Sequence, residues 1–382
     1  MRNFYPEQYN KDKSYSINHN YLTDQFSDVD VILNKIKKVV ESNDFTLGKI
    51  VDEVEDLIAI EAGTKYAVGV GSGTDALFLS LKAIGVKEGD EVITTTYTFY
   101  ATIGAIVTAG AKPVLCDCDE NFNIDPNKIE EKITSKTKAI MPVHWAGRPC
   151  EMNEINKIAS KYSLTVIEDA CHALQAEYNN KRCGGLGHIG CFSFHPLKNL
   201  NVWGDGGIVT TNNKTIAERL KLIRNHGLVE RNICHEFSYN SRLDTIQAVV
   251  AKHLIENKLD YITTKRIDNS YYYDELLKEI PQLSLLNRNK NYKEVFHLYV
   301  FTANDRDGLA SYLQSKNIDA KIHYPTPMHL QPAANRYNFD NSEFPVANKL
   351  AEKTISLPVH EFITKEQIEF VAESIKTFYK IL

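Results

Sequence analysis

Three short stretches hold residues whose types and positions could do chemistry. The first is Gly71-Ser72-Gly73-Thr74-Asp75, which follows a strand-like run and opens a helix-like one. Glycines there let backbone amides approach an anion, and the dipole of the new helix favours its charge. An ordinary strand-to-helix turn is the alternative. The spacing matches neither G-x-x-x-x-G-K-[ST] nor G-x-G-x-x-G, because Ala76 stands three places after Gly73. The second stretch ends the apolar run Leu164 to Ile167 with Glu168 and Asp169. Ligands of open α/β sheets bind beyond the carboxyl ends of strands. A carboxylate at that place can bond to a protonated ring nitrogen and strengthen the ring as an electron sink, or serve as a helix cap or magnesium ligand. The third runs from Ser193 through His195 and Lys198 to Leu200, followed by Gly204-Asp205-Gly206-Gly207. A lysine just past a buried strand can be desolvated, which lowers its pKa and frees a nucleophilic amine. Most lysines are only solvated surface charges, so position and company single out Lys198.

These residues need a scaffold, and the surrounding pattern supplies one. From residue 66 to 211, β-rich runs (66–70, 91–95, 112–117, 138–143, 165–169, 191–194 and 207–211) alternate with helix-like segments such as 75–83, 101–109 and 152–161. Alternation of this kind implies crossovers and a mostly parallel sheet covered on both faces. The fold class is therefore α/β: a three-layer large domain around a mostly parallel seven-stranded sheet, then a smaller α+β C-terminal domain. The large domain, with an N-terminal arm, is expected over 1–250 and the small one over 251–382. In the latter, 297–303 and 319–324 read as strands, and 365–382 as a closing amphipathic helix.

Bulk properties agree. A chain of 382 residues with 43% hydrophobic and 24% charged residues has the composition of a soluble globular protein with room for a large core. Its 44 basic and 49 acidic side chains offer no general attraction for nucleic acid or an anionic membrane. The basic run Lys35 to Lys38 reads as one solvated helix face. Seven scattered cysteines and a start without the basic and then apolar regions of a secretory signal predict a reduced, cytoplasmic protein. Cys116 and Cys118 form a C-x-C without paired zinc-ligand spacing, so no metal is expected. The apolar stretch 101–109 is too short to span a bilayer.

Taken in order along the chain, FTLGKIVDEVE (45–55), GSGTDAL (71–77), VITTTYTFYAT (92–102), PVHWAGRP (142–149), VIEDACHA (166–173), SFHPLKNL (193–200), GDGG (204–207), YNSRLDTIQA (239–248), HYPTPMHLQP (323–332) and SLPVH (356–360) resemble the DegT/DnrJ/StrS family of sugar aminotransferases, which has the aspartate aminotransferase fold of type I. The resemblance runs nearly end to end. It implies pyridoxal 5'-phosphate as cofactor, with pyridoxamine 5'-phosphate as the intermediate carrier. Carried over by position, Lys198 forms the Schiff base and shuttles protons, and Asp169 pairs with the ring nitrogen. His172 lies near the ring hydroxyl, where the family often has glutamine. Gly73, Thr74 and Ser193 bind the phosphate, and Phe99 stacks on the ring. Asn240, with Arg242, approaches from a neighbouring subunit, which implies a homodimer with shared active sites. His323, Tyr324 and His329 line the substrate side, with Arg242 also in reach. Each has a plainer reading: Phe99 as core, His172 as a satisfied interior histidine, the 323–332 stretch as a proline-rich turn, Arg242 as structural.

The expected activity is amino transfer, with L-glutamate as donor and a nucleotide-linked keto-deoxysugar as acceptor, in surface glycan biosynthesis. Lys-Asn-Leu with Gly-Asp-Gly-Gly resembles the branch that aminates the 3-keto position. Some relatives carry histidine in place of the lysine and are dehydratases, so the retained Lys198 favours transamination. A small phosphorylated ketone such as dihydroxyacetone phosphate, or a keto-cyclitol, is the alternative acceptor. A pyridoxal-dependent dehydratase and a non-catalytic regulator on the same fold are the rival functions. Trp203 and Arg148 stand where the family less often has them.

Overall fold

Five-residue runs of β-branched and apolar side chains form the centre of the molecule, in a computed structural model that describes residues 15–381. The first fourteen residues of the expected N-terminal arm, and Leu382 at the end of the expected closing helix, lie outside the described residues. The strands are β1 (Tyr66–Val70), β2 (Glu91–Thr95), β3 (Lys112–Cys116), β4 (Thr137–Met141), β5 (Thr165–Asp169), β6 (Ile189–Ser193) and β7 (Gly207–Thr211). Their order across the sheet is β1-β7-β6-β5-β4-β2-β3. The pairs from β3 to β6 are parallel, whereas β7 runs antiparallel to both β6 and β1. A parallel neighbour needs a crossover long enough to hold a helix. The segment 194–206 between β6 and β7 contains none, so the chain returns alongside β6. That return loop carries Lys198.

Helices cover both faces. On one, α1 (Val29–Ser42), α2 (Lys49–Ala62) and α7 (Thr245–Asn257) bury Ile32, Val54, Ile58, Val249 and Leu254 in a common core with Phe192 and Ile208. On the other, α3 (Gly73–Ala83), α4 (Tyr100–Thr108) and α6 (Lys214–Ile223) bury Leu77, Ile106 and Leu220 against Val68, Val92 and Val209. Helix α5 (Met152–Lys161) closes a further core with Ile155 against Ile93, Ile140 and Val166. Burial of such side chains at roughly 1.5–3 kcal/mol each is what fixes the layers.

A second core lies beyond α7. Helix α8 (Leu259–Leu277) begins in the first core through Leu259 and ends in the second through Tyr273 and Leu277. There an antiparallel sheet, β10 (Leu283–Leu285), β11 (Tyr299–Ala303) and β12 (Thr354–Leu357), packs with α9 (Arg306–Ser315) and α10 (Lys365–Phe378). Between α6 and α7, β8 (Leu228–Glu230) and β9 (Ile233–Cys234) form an exposed hairpin. Ile17, from the N-terminal segment, also belongs to the second core. The expected strand over 319–324 does not form. Only single bridges, Ile17 with Ile318 and Lys321 with Ser356, hold this stretch. The Tyr324 amide donates to the Tyr97 hydroxyl (2.8 Å) instead of to a ladder, and Pro325 has no amide to offer. Among the described residues, no helix is long and apolar enough to cross a membrane.

Candidate active site

The carboxyl ends of the parallel strands meet the start of α3 and the 194–206 loop, and the chemistry gathers there. Ser72 caps α3, its hydroxyl accepting from the Asp75 amide at 3.1 Å. The start of this helix lies hard against the strand ends. A Cβ on Gly73 would come within 2.5 Å of Ser193 Cβ and 2.9 Å of its Oγ; one on Gly207 would meet the Ser72 carbonyl oxygen at 2.2 Å. Only hydrogen fits at either place. The result is a narrow cradle of helix-start amides beside the Ser193 hydroxyl, a geometry suited to a phosphate. Ser241 braces it from behind, accepting from the Gly71 amide (3.1 Å) and donating to Asp75 (2.8 Å).

Asp169 ends β5 and is buried. The Thr102 hydroxyl, on α4, donates to its Oδ2 at 2.8 Å, and Thr98 stands 2.7 Å behind Thr102. Since Thr102 gives its proton to the carboxylate, Thr98 must donate to Thr102. Lys198 extends into the same space, its side chain only partly exposed. Burial pushes its pKa below the usual lysine range, opposed by Cys171 and Asp169. Burial also holds the Cys171 thiol well above its ordinary pKa, so it stays neutral and Asp169 carries the opposing charge. A lysine so placed keeps more of its amine free at neutral pH. Phe99 stands at the start of α4 with its ring 46% exposed, 6.0 Å from the ring of Tyr324. An aromatic left this open beside a cradle offers a stacking face.

Imidazoles form the opposite wall. His172 packs on His297 with ring centres 4.2 Å apart, and Trp145 lies 5.4 Å from His172 and 5.2 Å from Tyr324. Burial, with Lys198 nearby, drives the pKa values of His172 and His297 well below the usual histidine value, and the same holds for His323, where burial and His19 lead. All three are neutral at physiological pH. The Nδ1 atoms of His172 and His297 are buried without a hydrogen-bond partner. Tyr97 positions the 323–324 segment: its hydroxyl accepts from the Tyr324 amide and lies 3.0 Å from the His323 carbonyl. Sequence reasoning missed Thr98, Thr102, Tyr97 and His297. The run of threonines in TTTYTFYAT was the one available signal for the first two.

Other expected residues lie elsewhere. His329 is buried with both ring nitrogens engaged, Nδ1 by Thr96 (2.7 Å) and Nε2 by Asn341 (2.9 Å), and it stacks on Phe344. It holds its loop to the β2 end and has no nitrogen left for a substrate. Asn240 is exposed, bridged to Asn225, and Arg242 donates to the Asn225 side chain at 3.1 Å. Among the described residues, neither hydrogen-bonds to Lys198. Arg148 pairs with Glu294 (2.7 Å) and covers the Tyr292 ring, while Trp203 packs edge-on against Phe26. Both unusual residues thus support the scaffold.

Among the described residues, one cluster has metal-ligand chemistry: His144, Glu168 and Cys183, all buried. Hydrogen bonds already occupy His144 and Glu168. His144 Nδ1 accepts from the Cys150 amide (3.0 Å), so Nε2 carries the proton and donates to Glu168 (2.9 Å). The same carboxylate accepts from the amides of Gly184, Leu186 and Gly187 at 2.6–2.8 Å. This is a clamp on the 184–187 turn.

With this geometry in view, kinship decides the class. The profile of the DegT/DnrJ/EryC1/StrS aminotransferase family matches residues 27–376. The chain belongs to this family. As a family member it is 40% identical over 352 residues to a "pleiotropic regulatory protein" of Geobacillus stearothermophilus, covering 91% of this chain and 94% of that one. It is 41% identical over 351 residues to the dTDP-3-amino-3,6-dideoxy-alpha-D-galactopyranose transaminase of Aneurinibacillus thermoaerophilus, covering 91% and 95%. Among solved structures, S. venezuelae DesV in complex with a ketimine intermediate superposes with a TM-score of 0.93 at 32% identity, covering 97% of this chain and all of that one. The fold is that of the type I pyridoxal-phosphate aminotransferases. The residues present fit this family's cofactor: the Gly73 cradle admits a phosphate, Asp169 is oriented for a ring nitrogen, and Lys198 supplies a desolvated amine.

Proposed function

We propose that this aminotransferase uses pyridoxal phosphate to move an amino group from L-glutamate to a keto-sugar carried on a nucleotide, for glycan biosynthesis, and that it works as a homodimer in the cytoplasm. The observation that carries the reading is Lys198 beside the Thr102-braced Asp169 at the mouth of the Gly73 cradle. Bound there, the cofactor supplies the electron sink and carries the amino group between donor and acceptor. The amides of Gly73 and Thr74 and the Ser193 hydroxyl bind the phosphate. Asp169 would keep the ring nitrogen protonated, Phe99 would stack on the ring, and His172 would lie near the ring hydroxyl. The Lys198 amine would take the proton from the nitrogen-bearing carbon of the amino donor and deliver it to the cofactor carbon, and would move it the opposite way when the acceptor is aminated. Trp145 and Tyr324 exclude water from that side.

The acceptor class follows the transaminase relative and the neutral, hydrogen-bonding wall opposite Lys198. A regulator has no use for a desolvated lysine at a phosphate cradle, which favours the enzyme over the regulatory namesake. The homodimer has support in the hairpin and its flank, where Val229, Ile233, Phe237 and Tyr239 are exposed together, Phe237 completely. Asn240 and Arg242 follow directly and, by the family pattern, would reach a second copy. Seven free cysteines suit a reducing compartment.

The test is spectroscopic. L-glutamate should bleach the cofactor absorption of the loaded enzyme, and dTDP- or UDP-linked 3-keto sugars should restore it. No bleaching by glutamate would contradict the donor; bleaching that no keto-sugar reverses would contradict the acceptor class.

A further inference from the structure

The N-terminal segment contributes a side chain to the substrate wall that neither kinship nor motif singles out. Ile17 is stitched to the second core: its amide donates to the Asn317 carbonyl (3.1 Å) and its carbonyl accepts from the Asp319 amide (2.9 Å). The His19 amide donates to Asp319 Oδ2 (3.1 Å), the Asn18 carbonyl lies 3.2 Å from His360 Nε2, and Tyr21 packs 4.0 Å from the His360 ring. These attachments carry the His19 ring to 5.5 Å from that of His323, whose own Nδ1 is held by the Ser356 hydroxyl at 3.0 Å.

Two further observations define the role of His19. Its Nδ1 is buried and unpartnered, as are those of His172 and His297. Buried polar atoms are nearly always paired and leaving one unpaired is costly, so their concentration around one space marks where a polar ligand supplies partners. Second, the Lys198 charge acts on His172, His297 and His323, whereas the neighbours that act on His19 are Lys321, Asp319 and Arg266. His19 thus joins the wall through His323, ring to ring at 5.5 Å, with Lys321, Asp319 and Arg266 as its other neighbours. A compact amino donor reacting at Lys198 stays short of His19; a sugar ring extending outward meets it. Lys321 is paired with Asp319 (3.0 Å) and Arg266 faces Glu361 (3.5 Å), so the surroundings of His19 are charge-balanced. A neutral imidazole offers one donor and one acceptor, which is what a hydroxyl requires.

We propose that His19 is an acceptor-specificity residue, reading ring hydroxyls of the keto-sugar and leaving the amino donor untouched. This rests on the keto-sugar reading above. The two half-reactions separate the roles, because L-glutamate and a nucleotide-linked 3-amino sugar acting in reverse both bleach the same cofactor absorption. The probes are L-glutamate and whichever of dTDP-3-amino-3,6-dideoxygalactose and UDP-linked 3-amino sugars the wild type accepts. His19→Ala should raise the half-saturating concentration of the amino sugar about tenfold, the loss of one good hydrogen bond. The glutamate half-reaction should stay within about twofold, and His19→Gln should recover much of the loss. Unchanged amino-sugar saturation, or parallel losses with both probes in both variants, would overturn the role. A wild type that responds to glutamate and to no amino sugar would overturn the keto-sugar reading itself, and this inference with it.

Discussion

A carboxylate that must keep a ring nitrogen protonated needs a fixed orientation, and Thr102 supplies it. Its hydroxyl, backed by Thr98, takes one oxygen of Asp169. Hydrogen bonds to charged groups contribute about 1.5–3 kcal/mol. Thr102→Val should slow the glutamate half-reaction about tenfold or more with little change in the saturating glutamate concentration, because the loss falls on the chemical step. A selective rise in KM would show that Thr102 acts on binding. At this scale the sequence was informative where a residue type is chemically rare in its position. Lys198 after a buried strand and Asp169 at a strand end stand out for that reason, and the two lie near enough for their charges to interact. The braces Thr102 and Tyr97 do not, because a threonine or tyrosine gains its role only from what folds beside it. His329 illustrates the converse: its motif suggested substrate, but Thr96 and Asn341 occupy its ring.

Among elements, the β-rich runs located β1, β2, β5 and β7 at their bounds and the other three strands of the central sheet within a few residues. They did not show that β7 reverses, since direction depends on what the connection holds, and 194–206 holds a ligand loop in place of a helix. Nor could they show that 319–324 lacks a ladder: alternation there reflects one bridge and the Tyr97 hydroxyl. The 184–187 turn depends on Glu168. Glu168→Gln replaces one acceptor oxygen with a donor that faces backbone amides or His144, all of them buried or nearly so. A loss of about 2–4 kcal/mol is expected from denaturant unfolding. An unchanged midpoint would mean that the clamp is dispensable, and a midpoint raised by added zinc in the wild type would restore the metal reading.

For the whole molecule, two predictions concern assembly and pH. Phe237→Glu places a charge on the exposed apolar hairpin flank and should shift the sedimentation of the protein from dimer to monomer, with activity lost in proportion; an unchanged dimer would move the interface elsewhere. His19 and His360 are pushed down to about 3 and about 2, chiefly by burial, and His172, His297 and His323 also lie well below 6.5. The unfolded chain binds protons at these sites below about pH 6.5 and the folded chain does not, so unfolding is favoured as pH falls from there. Each site contributes at most ~1.4 kcal/mol per pH unit, less where the ring keeps solvent contact. The cofactor-free unfolding midpoint should therefore drop between pH 7 and pH 5, and a flat profile would contradict the neutral wall. All of this rests on Lys198 holding the cofactor. The most direct measurement is borohydride reduction of the purified, cofactor-loaded enzyme followed by peptide mapping. The label should fall on Lys198 alone; a label on another lysine, or none, would contradict the central claim.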